Sequence, residues 1–180
     1  MKAHSIKTAI MYMARFKRRH EYIATEVGDF YADVVSSNAD ELIEYEVKCT
    51  KSDLRREIHK QKHSFYNNPK SHKRWEPTRF YFCVPPELEE AAIELIEENK
   101  WSRYGVIVYR AERHISDCME IVRKAKRLNE KAIHEKVLKR ILQRTSSDLV
   151  NVYYKTNIED KMLSTLSKIS EQNTRNEDSE

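Results

Sequence analysis

The segment ELIEYEVKCT, residues 41–50, constrains the fold more than any other stretch, because apolar and polar residues alternate along it. Side chains of a β-strand point alternately to its two faces, so this pattern predicts a strand with one apolar face. Glu44, Glu46 and Lys48 share the other face, and Glu46 and Lys48 lie roughly 7 Å apart along it. Burying charge costs free energy unless the charges are paired or a site uses them. This face therefore predicts either a salt bridge or a functional surface.

The surrounding elements predict a single α/β domain. Amphipathic spacing predicts a helix over 5–18, and the runs HEYIATEV and FYADVV predict two strands joined by a turn at Gly28-Asp29. A basic helix from Ser52 to Tyr66, a strand at TRFYFCVP, an acidic helix at ELEEAAIELIEEN and a strand at RYGVIVYR follow. DCMEIVRK predicts an additional edge strand. This α-β-β-β-α-β-α-β order predicts a mixed central sheet flanked by helices, with extra C-terminal helices.

We assign residues 1–125 to a core and 126–170 to a helical extension of the same domain. Apolar spacing predicts helices over 129–144 and 162–169, and the polar composition of 171–180 predicts a disordered tail. No apolar run reaches the ~18 residues that span a bilayer, so we expect no membrane contact and residence in a bacterial or viral-host cytoplasm. Three widely spaced cysteines predict structural thiols rather than a zinc site or disulfides.

The net charge of +4 conceals a strong separation of sign. Residues 51–79 carry nine Lys and Arg against three acids, and residues 120–144 carry the same numbers. Residues 86–99 hold six glutamates and no base. Such separation indicates a face that binds a polyanion, or else helix faces that are simply solvated.

A carboxylate on the preceding strand extends the charged face. Asp33 lies in FYADVV, and antiparallel pairing of that strand with residues 41–50 would bring Asp33 beside Glu46. Two neighbouring carboxylates repel each other, and a divalent cation such as Mg²⁺ relieves the repulsion. Lys48 could then orient or deprotonate a metal-bound water and stabilise charge on a phosphate. The alternative is a structural salt bridge of Lys48 with Asp33 or Glu46.

These residues resemble the core of the PD-(D/E)XK nucleases, the restriction-endonuclease-like fold. The hallmark of that superfamily is an Asp on one strand followed by (D/E)xK on the next, here Asp33 and Glu46-Val47-Lys48. The αβββαβ order of residues 5–110 is similar to the family core. The runs KHSFYNNP, RFYFCVPPEL and YGVIVYR are similar to small members such as MmcB-like DNA-repair proteins, and more distantly to Holliday-junction resolvases.

The resemblance implies a Mg²⁺- or Mn²⁺-dependent (deoxyribo)nuclease, of the endonuclease type, with Asp33, Glu46 and Lys48 catalytic. It implies that Asp33, Glu46 and the Val47 carbonyl hold the metal. Many members add a glutamate from the first helix, but residues 5–18 contain no acid. Glu26, or less well placed Glu21, is the candidate substitute, although an exposed strand acid is an equal interpretation of Glu26. Some branches use a Gln or Lys and a Tyr on the helix after ExK, a region occupied here by Gln61, Lys62 and Tyr66.

Nucleic acid is the partner that the basic residues around this strand predict, and the resemblance favours DNA over RNA. The candidate phosphate contacts are Lys51, Arg55, Arg56, Lys60, Lys62, Lys73 and Arg74. Trp75 either stacks on a base or packs on the edge of the domain. The C-terminal helices could form a homodimer.

Three functions remain open from the sequence. The first is a metal-dependent nuclease acting in DNA repair, recombination or phage-type DNA processing. The second is a non-catalytic nucleic-acid-binding module on a degenerate nuclease fold. The third is a protein-interaction module that uses the acidic helix of residues 86–99 or the C-terminal helices.

Overall fold

The computed structural model describes residues 2–38, 40–68 and 75–177, with side chains described as far as residue 163. The chain forms two compact units, Met1–Arg144 and Thr145–Glu180. The chain just after residue 125 packs in the apolar clusters of the first unit, through the buried side chains of Leu128, Val137 and Ile141.

The first unit contains one six-stranded mixed sheet, which confirms the α/β class. Its strands lie next to one another in chain order; β1, β2 and β3 are antiparallel, β3, β4 and β5 are parallel, and β6 returns antiparallel at the edge. The strands are β1 (Tyr22–Val27), β2 (Ala32–Ser37), β3 (Leu42–Val47), β4 (Arg79–Val84), β5 (Gly105–Tyr109) and β6 (Met119–Arg123). The helices are α1 (Ala3–Tyr12), α2 (Lys51–Arg56), α3 (Lys62–Tyr66), α4 (Glu89–Glu98) and α5 (Glu135–Glu177).

Helices cover both faces of the sheet, and strand alternation decides which residues face which helix. Ile43, Tyr45 and Val47 of β3 pack in one apolar cluster with Ile6 and Ile10 of α1. Phe80 and Phe82 of β4 belong to the cluster on the opposite face, together with Leu54 of α2 and Ala92, Leu95 and Ile96 of α4. Glu44 and Glu46 alternate with Tyr45, so they lie on this second face, between the sheet and the α2–α3 segment.

A tight turn delays the start of β2 relative to the sequence prediction. Gly28 has a φ of 98°, and a Cβ there would lie 2.4 Å from the Trp75 ring, so only glycine fits. Tyr31 also has a positive φ, of 51°, which places Phe30 and Tyr31 in the turn rather than in the strand. Trp75 itself is buried, so it packs on the edge of the domain instead of being exposed for stacking on a base.

The helix predicted from Ser52 to Tyr66 is broken into three short pieces. α2 begins at Lys51, where the Thr50 side chain accepts a hydrogen bond from the Asp53 N–H. A 3₁₀ turn, Glu57–His59, follows, and Lys60 is extended with φ −77° and ψ 123° before α3 begins. In one continuous helix Glu57 and Lys62 would point roughly 140° apart, at roughly 100° per residue. The break is what lets both side chains reach β3.

The C-terminal region forms one helix where the sequence predicts two helices and a tail. Residues 129–134 are not helical, and α5 then runs from Glu135 to Glu177 without interruption. The sequence after Gly105 contains no glycine or proline, so no residue forces a stop. In the second unit, the exposed apolar side chains of α5 are Leu149, Val150, Val152, Tyr153, Tyr154, Ile158, Met162 and Leu163. No helix among the described residues combines the length and the apolar character needed to cross a membrane.

Candidate active site on the third strand

Glu46 is buried on β3, and ammonium groups contact both of its carboxylate oxygens. Lys48 Nζ donates to Oε1 at 2.8 Å and Lys60 Nζ donates to the same oxygen at 2.5 Å. Lys62 Nζ donates to Oε2 at 2.5 Å. The structure therefore brings together the Glu46 and Lys48 that the sequence pairs, and it adds two lysines that the sequence assigns to phosphate binding.

Two further glutamates complete a buried ionic group. Glu57 Oε2 lies 2.7 Å from Lys48 Nζ and 3.0 Å from Lys60 Nζ. Glu44 Oε1 accepts from Lys62 Nζ at 3.1 Å, and Glu44 Oε2 accepts from the Tyr66 hydroxyl at 2.7 Å. Three carboxylates thus face three ammonium groups. We call this set the Glu46 cluster: Glu44, Glu46, Glu57, Lys48, Lys60 and Lys62.

The contacts within the cluster favour the charged forms of four of its members, Lys48, Lys62, Glu46 and Glu57. Burial on its own would lower the pKa of Lys48, but the charges of Glu46 and Glu57 outweigh burial and raise it. The pKa of Lys62 is raised in the same way, by Glu44 and then Glu46 against its burial. Burial would raise the pKa values of Glu46 and Glu57, yet both are lowered, that of Glu46 chiefly by Lys62. For Glu57, the His63 hydrogen bond and the lysine charges cause the decrease.

His63 contacts the second oxygen of Glu57, Oε1, which also lies 3.4 Å from Lys62 Nζ. Its Nε2 lies 3.1 Å from Glu57 Oε1, and its Nδ1 lies 2.9 Å from the Tyr104 hydroxyl. Burial lowers the pKa of His63. A neutral imidazole that donates from Nε2 and accepts at Nδ1 satisfies both contacts. The Glu57 carboxylate is therefore fixed by a hydrogen-bonded chain of side chains, Tyr104 to His63 to Glu57.

Asp33 lies near the start of β2 and binds the end of β3 rather than the Glu46 carboxylate. Its Oδ2 accepts a hydrogen bond from the Val47 N–H at 2.8 Å, and its Oδ1 lies 2.8 Å from Lys7 Nζ of α1. Lys7 also donates to Glu26. Lys7, Glu26 and Asp33 form a second, partly exposed ionic group, which we call the Lys7 bridge. Glu26 thus lies near Asp33, as the sequence suggests, but both carboxylates share a lysine.

The candidate auxiliary and phosphate-binding residues divide by burial. Tyr66 is buried and contacts Glu44, whereas Gln61 is exposed. Lys62 is buried, so its ammonium group neutralises glutamates instead of facing solvent, contrary to its assignment as a phosphate contact. The remaining candidates are exposed, namely Lys51, Arg55, Arg56 and Lys60; Lys73 and Arg74 lie outside the described residues.

The basic helix α2 and the acidic helix α4 are neighbours. Lys51 and Arg55 of α2 line one shallow depression together with Glu94 and Glu98 of α4. The positive and negative surfaces that the sequence separates therefore meet along this part of the fold.

The oxygens of the Glu46 cluster are hard ligands, the kind that Mg²⁺ takes, but ammonium groups occupy them. Glu46 Oε1 and Glu57 Oε2 share two cations, the ammonium groups of Lys48 and Lys60. Among the described residues no three His, Cys, Asp or Glu side chains form a metal-binding group. A divalent cation could therefore bind here only by displacing a lysine.

Sequence reasoning missed Glu57 and did not predict the burial of Lys62. Glu44 carries a usable signal, because alternation places it on the same face of β3 as Glu46. Glu57, Lys60 and Lys62 carry none, because the helix break that turns them toward β3 contains neither glycine nor proline. Their convergence depends on tertiary contacts with the strand.

Comparisons with known proteins add information on the fold. No protein-family model matches the chain, and no curated protein matches it. Among solved structures, the SPO1766 protein of unknown function from Silicibacter pomeroyi is similar, with a TM-score of 0.52 and 14% identity. The similarity covers 87% of this chain and 92% of that chain. At this identity the similarity shows the fold alone, so the function must be argued from the residues.

Proposed function

We propose that this chain is a metal-dependent nuclease that hydrolyses phosphodiester bonds of DNA. The observation that carries the proposal is the Glu46 cluster, in which Glu46 and Lys48 share one face of β3 beside Asp33 on the antiparallel β2. The order of α1, three antiparallel strands, α2 and α3, and a parallel β4 supports a restriction-endonuclease-like core. That core is the αβββαβ arrangement of the PD-(D/E)XK nucleases, which this chain resembles.

Glu46, with Glu57 beside it, would hold Mg²⁺ or Mn²⁺ after the cation displaces a lysine, because Lys48 and Lys60 both contact the oxygens concerned. Asp33 and the Val47 carbonyl are the further ligands that the resemblance implies. When bound, the cation polarises a phosphoryl oxygen and lowers the pKa of a bound water. His63 keeps the Glu57 carboxylate in place by its hydrogen bond to Oε1.

Lys48 would supply positive charge to the phosphate rather than accept a proton. Its raised pKa keeps the ammonium group protonated at neutral pH, which leaves no lone pair for a general base. A protonated lysine in a buried site stabilises developing negative charge more strongly than one in water. Of the two roles open from the sequence, orienting and stabilising charge is therefore the one we propose.

Asp33 would position the reactive end of β3. Its hydrogen bond to the Val47 N–H fixes the backbone between Glu46 and Lys48. The exposed Lys51, Arg55 and Arg56 of α2 would contact phosphates and give salt-dependent, sequence-independent affinity. Binding and cleavage are then separable, because the basic residues lie outside the cluster.

The experiment is a cleavage panel of duplex, single-stranded, nicked and branched DNA with Mg²⁺ and Mn²⁺. We expect the wild type to cleave at least one substrate, and Glu46→Gln or Lys48→Met to lower the rate by about a hundredfold or more. Both variants should retain salt-sensitive DNA binding, with folding checked by circular dichroism. Full cleavage by Glu46→Gln would contradict the proposal.

A second candidate is non-catalytic nucleic-acid binding on the same fold. The observation that favours it is the balance of charge, since three carboxylates are already neutralised by three ammonium groups. The charges of such a site are balanced without a metal ion. Salt-sensitive DNA binding by the wild type without cleavage in either metal would select this candidate.

A further inference from the structure

Positive charge is concentrated in the segment directly after α1. Residues 1–20 contain six Lys and Arg and no Asp or Glu, and four of the six are Arg15, Lys17, Arg18 and Arg19. Arg18 turns inward, where its guanidinium group lies 5.7 Å from the centre of the Tyr81 ring. The other three are exposed. They form a basic surface beside α1, the helix that covers the face of the sheet opposite to the Glu46 cluster.

Two aromatic rings lie among these basic side chains. Phe16 is 66% exposed, and the centre of its ring lies 4.8 Å from that of Tyr12, with 48° between the ring planes. Most of the Phe16 ring therefore remains accessible although Tyr12 contacts it. Aromatic rings combined with Lys and Arg are the means by which proteins bind the unpaired bases and the phosphates of a single-stranded nucleic acid.

The backbone holds Phe16 in this exposed position. A π-helical turn, Met13–Lys17, follows α1, and its first two residues, Met13 and Ala14, are buried. The Arg18 N–H donates to the Met13 carbonyl and the His20 N–H donates to the Ala14 carbonyl, both at 3.0 Å. Such π-helical turns occur frequently at functional sites. Because buried residues anchor the turn, a substitution at Phe16 changes the surface without unpacking the core.

One carboxylate competes for this basic surface, and it is exposed. Lys17 Nζ lies 2.6 Å from Asp117 Oδ1, and the two side chains are 45% and 69% exposed. Ion pairs between exposed groups stabilise a protein very little. A phosphate can therefore replace Asp117 as the partner of Lys17 at small cost.

An anionic membrane would attract the same basic side chains, but it fits the helix poorly. A helix that lies in the membrane interface inserts its apolar face among the lipids. The apolar face of α1 is occupied, because Ile6 and Ile10 are buried against the sheet together with Met13. Only the ring pair and its neighbour Met11 offer exposed apolar surface, which suits a stacked base better than a bilayer.

We infer that Tyr12, Arg15, Phe16, Lys17 and Arg19 form a contact surface for single-stranded nucleic acid, which we call the Phe16 surface. An unpaired base stacks on the Phe16 ring, and the neighbouring phosphates contact the three basic side chains. The bases of a duplex are already stacked on one another, so a duplex would use the charges alone. The inference goes beyond the proposed function, because binding at the Phe16 surface requires neither cleavage nor a metal ion.

The test is the affinity of the full chain for a labelled oligodeoxythymidylate of about 16 nucleotides, measured by fluorescence anisotropy with a chelator present. We expect Phe16→Ala to lower this affinity by about tenfold, and the affinity for a duplex of the same length by about twofold or less. Phe16→Trp should retain the wild-type affinity, because an indole ring also stacks on bases. Arg19→Gln should reduce the slope of log affinity against log salt by about 0.7, the value for one phosphate contact to a single strand.

A matched control removes an exposed ring elsewhere. Tyr153→Ala deletes a 70% exposed side chain of α5 and should leave both affinities unchanged, with the folding of each variant checked by circular dichroism. Wild-type affinity for the oligonucleotide in Phe16→Ala would overturn the inference, and so would equal losses for single strand and duplex. Loss of binding to vesicles of phosphatidylserine and phosphatidylcholine, with the affinity for the oligonucleotide unchanged, would overturn it in favour of a membrane contact.

The outcome for the proposed function is separate. Glu46→Gln should bind the oligonucleotide as the wild type does, because Glu46 lies on the other face of the sheet. If the wild type cleaves no DNA in Mg²⁺ or Mn²⁺ while Phe16→Ala still loses the single strand, the proposed nuclease is wrong and the Phe16 surface is supported.

Discussion

The Glu46 cluster and the Lys7 bridge combine the same residue types with different burial. In the bridge, Lys7 is 20% exposed and its partners Glu26 and Asp33 are 43% and 21% exposed. In the cluster, Glu44 and Glu57 are fully buried and Lys62 is nearly so. Charges that remain in contact with water can exchange partners at little cost, whereas buried charges cannot. The cluster contains both kinds, because Lys60 faces solvent while Lys62 does not.

The largest expected effect is the loss of stability when a buried lysine of the Glu46 cluster is replaced. Lys62→Met leaves Glu44 and Glu46 with less compensating charge inside the core, so we expect the free energy of unfolding to fall by about 3 to 5 kcal/mol. Urea denaturation measures this loss. Lys60→Met is the matched control, and its loss should be about 1 kcal/mol or less, because solvent replaces the ammonium group. Equal losses in the two variants would show that the burial of Lys62 and the exposure of Lys60 do not determine how much each stabilises the protein.

The pH dependence of stability sharpens the same contrast. Lys62 has a pKa above the ordinary 10.5, so its stabilising contribution is complete below that pH and is lost as pH rises through the folded-state value. Glu46 and Glu57 have pKa values below the ordinary 4.5, so their contribution is complete above that pH and is lost as pH falls. Between these limits Lys62, Glu46 and Glu57 add no pH dependence.

Urea denaturation from about pH 3 to about pH 11 reaches the beginning of both losses of stability. We expect the wild type to lose stability at each end, and Lys62→Met to show a smaller loss at the alkaline end. An alkaline loss of equal size in wild type and variant would assign that limb to other groups and contradict the cluster's role.

The Lys7 bridge should contribute less to the free energy of unfolding than the Glu46 cluster does. Lys7→Met removes one partly exposed ammonium group, so we expect a decrease in the free energy of unfolding of about 1 kcal/mol or less. Asp33 keeps its hydrogen bond to the Val47 N–H in this variant. The same urea titration checks the value. A decrease as large as that of Lys62→Met would remove the distinction between the two regions.

The sequence predicts the sheet well because its signals are local. Alternation in residues 41–50 identifies the apolar face of β3, and the turn at Gly28 identifies the β1–β2 connection. The sequence does not predict that Lys60 and Lys62 contact Glu46. Both residues follow a break in the helix that no glycine or proline marks. Whether a lysine such as Lys62 meets solvent or a carboxylate depends on packing across about 16 residues of chain, which periodicity does not encode.

The length of α5 follows from local sequence. The polar composition after residue 170 predicts a disordered tail, whereas the described part of that segment continues α5 to Glu177, and the segment contains no glycine or proline. Helix propensity decides the outcome there.

The most direct measurement of the central claim is anomalous diffraction from crystals of the full chain grown with Mn²⁺ and a phosphorothioate duplex. We expect an anomalous peak beside the Glu46 carboxylate, with Lys62 still bound to Glu44 and Glu46. Bound DNA without an anomalous peak at that position would contradict the proposed function.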